Sequence, residues 1–132
     1  MRKVHKKNIE KSSLELVRQI SRAALDKKAE NLVILDVHEL SSFTDYFVIM
    51  GGTSTRHVQG LAEAVDSELR AKKLKEGSTE GLQEGRWVLL DYGDVVVHVF
   101  YRDEREFYDL EGLWHDAPRV VVEEAGGSLA GS

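Results

Sequence analysis

At 132 residues, 42% hydrophobic and 31% charged, the chain has the size and balance of one globular domain with a single core. A formal charge of −5, no cysteine, and no apolar run near the roughly 20 residues of a membrane span exclude a disulfide framework, thiolate chemistry and a spanning helix. The charge is uneven: residues 1–11 hold five cations (Arg2, Lys3, Lys6, Lys7, Lys11) against Glu10, and the remainder holds 13 cations and 22 anions, a net of −9. An acidic body does not suit broad nucleic-acid binding. The basic arm at 1–11 reads either as a solvated, frayed terminus or as a point of contact with phosphate. It lacks the apolar stretch of a secretory signal and matches a mitochondrial presequence poorly, so the expected compartment is a reducing cytoplasm.

In chain order, Ser12 opens a capping box with Glu15, and Leu16, Val17, Ile20, Ala23 and Ala24 recur at helical spacing to about Lys28. The branched run Leu32–Val37 predicts a central strand covered on both faces. His38 to Thr44 has turn chemistry, and Tyr46–Met50 predicts a second buried strand. Gly51 and Gly52 then leave that strand, and a Thr or Ser caps a helix with the inner face Val58, Leu61, Ala62, Val65 and Leu69. Backbone N–H groups at Gly52, Thr53 and Ser54, with Arg56 beside them, make a candidate anion-binding turn. The plainer reading is a tight strand-to-helix connection.

Lys72 to Gly85, polar and holding three glycines, predicts a flexible loop. Arg86–Asp91 and Asp94–Tyr101 follow as two strands about a Tyr92-Gly93 turn. Trp87, Leu89 and Asp91 point one way and Val88 and Leu90 the other; Val95, Val97 and Val99 oppose Val96, His98 and Phe100. Both faces are apolar, so the sheet is expected to be covered on both sides. Asp103 caps a last helix with Phe107, Leu110 and Trp114 on one stripe, which Gly112 weakens and Pro118 closes. A further strand is expected at 119–122 and a flexible tail at 123–132. The sum is a single α/β domain at 12–122, a mixed sheet of four to five strands covered by helices.

The chemistry is sparse. Five histidines (His5, His38, His57, His98, His115) show no ligand spacing and no carboxylate cluster, so no metal and no cofactor is expected. His98, alternating with valines, reads as a hydrogen-bonded core or face histidine. No nucleophile elbow, P-loop or dinucleotide fingerprint occurs. The strongest enzymatic alternative is a nucleotidyltransferase-like, nucleotide-binding enzyme, because a glycine turn precedes strands bearing acids. That chemistry needs carboxylates converging on metal ions, whereas Asp91 and Asp94 merely flank a turn and no Asp-x-Asp lies in a predicted strand. No catalytic residue is assigned. What remains is a concentration of aromatics between residues 86 and 114, which holds both tryptophans with Tyr92, Tyr101 and Tyr108; Phe107 is assigned to the core, and Tyr108 and Trp114 to an interface.

Five strings then stand in order: Asp36-Val37, Ser42-Phe-Thr-Asp-Tyr-Phe47, Gly52-Thr-Ser-Thr-Arg-His-Val58, Trp87-Val-Leu-Leu-Asp-Tyr-Gly-Asp-Val-Val-Val-His98 and Tyr108-Asp-Leu-Glu-Gly-Leu-Trp114. Together they resemble the ribosomal silencing factor family, also called Iojap-like, over about Glu15 to Ala117. The resemblance implies a nucleotidyltransferase-type fold without catalytic acids. It also implies binding to the large ribosomal subunit through ribosomal protein uL14, on the face that meets the small subunit. Such binding blocks subunit joining and lowers translation when nutrients are scarce; organellar relatives act in large-subunit assembly. Carried over by position, the partner-binding residues are Trp87, Tyr108 and Leu110, with Trp114 and the Asp91–Asp94 turn nearby, and with Asp109 and Glu111 as acids facing a basic ribosomal surface. Family members are often dimeric when free. Contact of the basic arm with ribosomal RNA is an expectation from charge alone.

Overall fold

The computed structural model describes the backbone of residues 2–121, 123–124 and 127–128, and the side chains of residues 13–121. Helix α1 (Arg2–Asp26) is followed by strands β1 (Glu30–Asp36) and β2 (Tyr46–Gly52), helix α2 (Thr55–Ala71) and strands β3 (Ser78–Glu80), β4 (Trp87–Asp91) and β5 (Val95–Tyr101). Two short helices, α3 (Arg102–Tyr108) and α4 (Leu110–Leu113), and a two-residue pair, β6 (Glu123–Glu124) and β7 (Gly127–Ser128), complete the order. The five-stranded sheet runs β1-β2-β5-β4-β3, with β2 and β5 parallel and the other neighbours antiparallel. The mixed α/β domain expected from the sequence is what the chain forms. Among the described residues no helix is long and apolar enough to cross a membrane.

The alternation in the hairpin decides which side is core. Val88, Leu90, Val95, Val97 and Val99 turn to the face covered by α1 and α2, where they meet Leu16, Val17, Ile20, Val58, Leu61, Val65 and Leu69. Each such fully buried aliphatic side chain contributes about 1.5–3 kcal/mol, so this larger cluster dominates the stability of the domain. Tyr92 belongs to it and donates its hydroxyl proton to Asp66 Oδ1 of α2 at 2.8 Å. Ser54 caps α2 by accepting the His57 N–H at 3.0 Å, as the sequence suggested.

Several boundaries differ from expectation. Helix α1 begins at Arg2, so Ser12 lies inside it rather than at a cap; Glu15 pairs with Arg18 and Gln19 instead. The basic arm therefore continues the helix, though its side chains lie outside the described residues. Strand β1 is not central; it lies at the sheet edge, where Pro118–Val120 meet it through Asp36 N–H to Pro118 O and Val120 N–H to Ile34 O, both at 2.9 Å. The strand expected at 119–122 is thus a single bridge, Leu35 to Arg119, with Val122 outside the described residues. The fifth strand is β3, within the stretch read as a loop. Of the expected tail, the described part is the β6–β7 pair.

Candidate functional site

The second face of the sheet is covered only in part. Register sets three rows across it: Leu35, Phe47, Val96 and Asp91; then Val33, Ile49, His98 and Leu89; then Gly51, Phe100 and Trp87. A single segment, α3–α4 and the turn to Pro118, crosses these rows obliquely, with Tyr108 over Trp87 and Trp114 over Phe47. Leu35, Val37, Phe47, Ile49 and Phe100 are buried under it with Ala117 of the segment itself, and Trp87 and Val96 of the sheet and Leu110 and Trp114 of the segment are partly buried against them.

Arg105 fixes the segment. Its guanidinium donates from Nη1 to Glu30 O at 3.1 Å, from Nη2 to Asn31 O at 2.7 Å, and from Nε and Nη2 to the two oxygens of Glu111 at 2.9 and 3.1 Å. The carbonyls are available because Asn31, at φ 47°, sits in a bulge where β1 shifts register against β2. Arg102 adds an ion pair to Glu30 at 2.9 Å. Between α3 and α4, Asp109 takes the left-handed conformation (φ 46°) and its Oδ1 accepts the Gly112 N–H at 3.1 Å. A Cβ at Gly112 would collide with that carboxylate, which is why glycine stands there.

This break in the helix overturns the expected stripe. Tyr101, not Asp103, occupies the N-cap of α3, without a side-chain bond. Leu110 and Trp114 still face the sheet, but Phe107 is 80% exposed rather than core, and Leu113 is 74% exposed. Tyr108 is 49% exposed. Its ring lies 4.7 Å from that of Trp87 and 5.0 Å from that of Phe107. A continuous aromatic row results: Phe107, Tyr108, Trp87, then Phe100 at 4.9 Å from Trp87, and His98, Phe47 and Trp114 beyond. Its outer end is an apolar patch open to solvent, the kind of surface that marks an interface.

Beneath Trp87 lies a buried polar contact. The indole Nε1–H donates to His98 Nδ1 at 3.1 Å. Tryptophan only donates, so Nδ1 must be unprotonated and the ring proton must sit on Nε2. That nitrogen is buried without a partner among the described residues. Burial pushes the imidazole down to about 4, so His98 is neutral near pH 7. His98 is thus the hydrogen-bonded face histidine that its setting among valines suggested.

Of the remaining residues singled out from the sequence, Asp91 shares the face of Trp87 but lies two rows away, about 13 Å along β4. Its Oδ1 accepts the Gly93 N–H at 2.9 Å, with Gly93 at φ 85°. Asp94 lies in the same turn, where its carbonyl accepts from Asp45 and Tyr46. This turn sits at the opposite end of the hairpin from Tyr108, so the expected proximity holds for Trp87 and Leu110 but not for Asp94. Asp109 and Glu111, expected to face a basic ribosomal surface, have their carboxylates engaged within the segment. Exposed Phe107 and Leu113 were missed; the signal was Asp109 followed by Gly112, which breaks the helical period.

At the Gly52–Arg56 turn, His57 fills the concavity. Its Nδ1 accepts the Thr53 N–H at 2.9 Å and its Nε2 donates to Lys27 O at 2.8 Å, while the His57 and Val58 N–H groups bond to Ser54. A Cβ at Gly52 would come within 2.8 Å of Val58, so the glycine allows close strand–helix packing. Arg56 borders a separate open groove of about 840 Å³ with Gln59, Gly60, Glu63, Leu82 and Gln83. Among the described residues no three His, Asp or Glu side chains converge as metal ligands would.

Comparison with known proteins gives a consistent result. The family model described as ribosomal silencing factor during starvation matches residues 10–130. A ribosomal silencing factor of Halalkalibacterium halodurans is 43% identical over 112 residues, covering 85% of this chain and 96% of the relative. One of Bacillus subtilis is 46% identical over 93 residues, covering 70% and 79%. Among solved structures, a Chromobacterium violaceum protein superposes with a TM-score of 0.75 at 36% identity, covering 76% of this chain and 84% of that one.

Proposed function

The chain belongs to the ribosomal silencing factor family, and on that premise we propose that it is a non-catalytic repressor of translation that binds the large ribosomal subunit. In this reading the open aromatic face docks on ribosomal protein uL14 at the intersubunit surface. Trp87, Tyr108 and Leu110 make the contact, Trp114 supports it from beneath, and Phe107 and Leu113 extend it. Glu111 acts indirectly, by holding Arg105 and so the segment. Asp91 lies at the margin and Asp94 beyond it.

The observation that carries the reading is the outer end of the aromatic row, where Phe107 and Tyr108 stand open beside Trp87, with Leu113 exposed on α4, in a domain whose opposite sheet face is covered by α1 and α2. Standard interfaces take roughly 800 Å² per partner, which one face of a domain this size supplies. Repression then needs no turnover. A body occupying the joining face excludes the small subunit, and the effect scales with factor concentration and affinity by mass action. A net of −9 beyond residue 11 favours association with a basic ribosomal surface.

Lowered translation under nutrient limitation, a cytoplasmic setting, a part in large-subunit assembly and a homodimer in the free state belong to the same reading, as does peripheral contact of the basic arm with ribosomal RNA. The experiment is a light-scattering assay of subunit joining. Protein added to large subunits before small subunits should lower the joined fraction in proportion to its concentration. Joining unaffected at saturating protein would refute the mechanism.

A further inference from the structure

We propose that His98 is a positioning residue for partner binding, because its Nδ1 holds the indole N–H of Trp87 and thereby sets which ring face Trp87 offers. This rests on the reading of the aromatic face given above. Trp87 stands at the margin of the covered region, with its ring 4.7 Å from that of Tyr108 and 4.9 Å from that of Phe100, contacts that pack the indole without directing its N–H. The directional contact is the 3.1 Å bond from Nε1 to His98 Nδ1. The cross-strand register places Trp87 opposite Phe100 and one diagonal step from His98, which is the reach such a bond needs.

His98 itself cannot adapt. It is 5% exposed, edge-on to Phe47 at 4.9 Å and stacked beside Phe100 at 6.2 Å. Among the described residues its neighbours are uncharged: β2 contributes Phe47 and Ile49, β4 contributes Trp87 and Leu89, and the crossing segment contributes rings and Leu110. A site selected for packing alone would favour phenylalanine or leucine, since the imidazole leaves Nε2 buried without a partner among the described residues. What the imidazole adds is a rigid acceptor aimed at Trp87.

The test compares His98→Asn, which keeps an acceptor oxygen at the δ position, with His98→Phe, which keeps the ring and removes the acceptor. The chain has two tryptophans, so its NMR spectrum holds two indole N–H resonances, and Trp114→Phe assigns them. In the wild type and His98→Asn, the Trp87 indole proton should be shifted downfield and protected from exchange; in His98→Phe both features should vanish. Co-sedimentation with purified large subunits should weaken about tenfold or more for His98→Phe and by less than about threefold for His98→Asn, although the Phe variant resists urea at least as well. In a Trp87→Phe background, which has no indole proton at position 87, His98→Phe should cost no further affinity.

Packing without positioning predicts the reverse order, with the Phe variant binding as wild type. That order, or an extra loss in the Trp87→Phe background, would overturn the proposal. A wild-type chain that does not sediment with large subunits would instead overturn the reading of the face. An unshifted, freely exchanging Trp87 resonance would overturn the positioning role by itself.

Discussion

The rings of Trp87 and Tyr108 lie 4.7 Å apart at a 45° tilt, one rising from β4 and the other from the end of α3. They come from different elements; Trp87 is partly buried and Tyr108 is half-exposed. This pair joins the packed interior of the aromatic row to its open rim. Trp87→Ala and Tyr108→Ala should each weaken large-subunit binding by about 2 kcal/mol or more; Tyr108→Ala should change stability by less than about 1 kcal/mol, and Trp87→Ala, which leaves the buried His98 Nδ1 without its donor, should cost roughly 2–3 kcal/mol. Because the rings touch, the double variant should lose less than the two single losses together. Binding titrations alongside urea unfolding of the four proteins check both statements.

Arg105 should matter through the segment it holds. Arg105→Met removes four hydrogen bonds and leaves Glu111 unpaired, at a cost of about 2–3 kcal/mol. Amide exchange in 102–114 should accelerate more than exchange in α2, and binding should fall with it. Uniform exchange across both regions would show that Arg105 is not the local clamp.

Tyr92→Phe provides the contrasting case. It deletes the hydroxyl donated to Asp66 on the face covered by α1 and α2, and should cost about 1–2 kcal/mol. Burial and that bond hold the phenol above its usual range, so the variant should behave alike from pH 6 to 9. Subunit binding should be unchanged. A binding loss comparable to that of Tyr108→Ala would mean that any destabilisation, wherever placed, disrupts the partner surface.

Acid should weaken the fold through His98. Its folded value, about 4, lies below the ordinary 6.5, so between these the unfolded chain binds more protons. The contribution is complete above pH 6.5 and is lost as pH falls toward 4, amounting to about 3 kcal/mol over that window. Protonated Nδ1 also becomes a donor and cannot accept from Trp87. Urea midpoints of wild type and His98→Phe, followed from pH 7 to 4, should diverge, with the Phe variant losing less.

Much of this arrangement was legible in the residues themselves. Period-two alternation placed Val88, Leu90, Val95, Val97 and Val99 on one face and Trp87, His98 and Phe100 on the other, because pleat geometry allows no other distribution. The helical period of α2 likewise gave its buried face. After β5 the apolar spacing predicts one helix, because it continues through a break that Asp109 in a left-handed conformation, locked onto Gly112, creates. Phe107 then turns outward with the first half. The clamp by Arg105 was also invisible, since it depends on two carbonyls presented by a bulge 74 and 75 residues earlier. Likewise, β1 looked central by composition, but an edge protected by Pro118–Val120 tolerates the same residues.

The most direct measurement is gradient sedimentation of purified large subunits with wild type and with the Trp87→Ala/Tyr108→Ala double variant, each shown folded by circular dichroism. Wild type should travel with the subunit peak in stoichiometric amount while the double variant stays at the top of the gradient. Equal co-migration of both proteins would contradict the assignment of partner binding to this aromatic face.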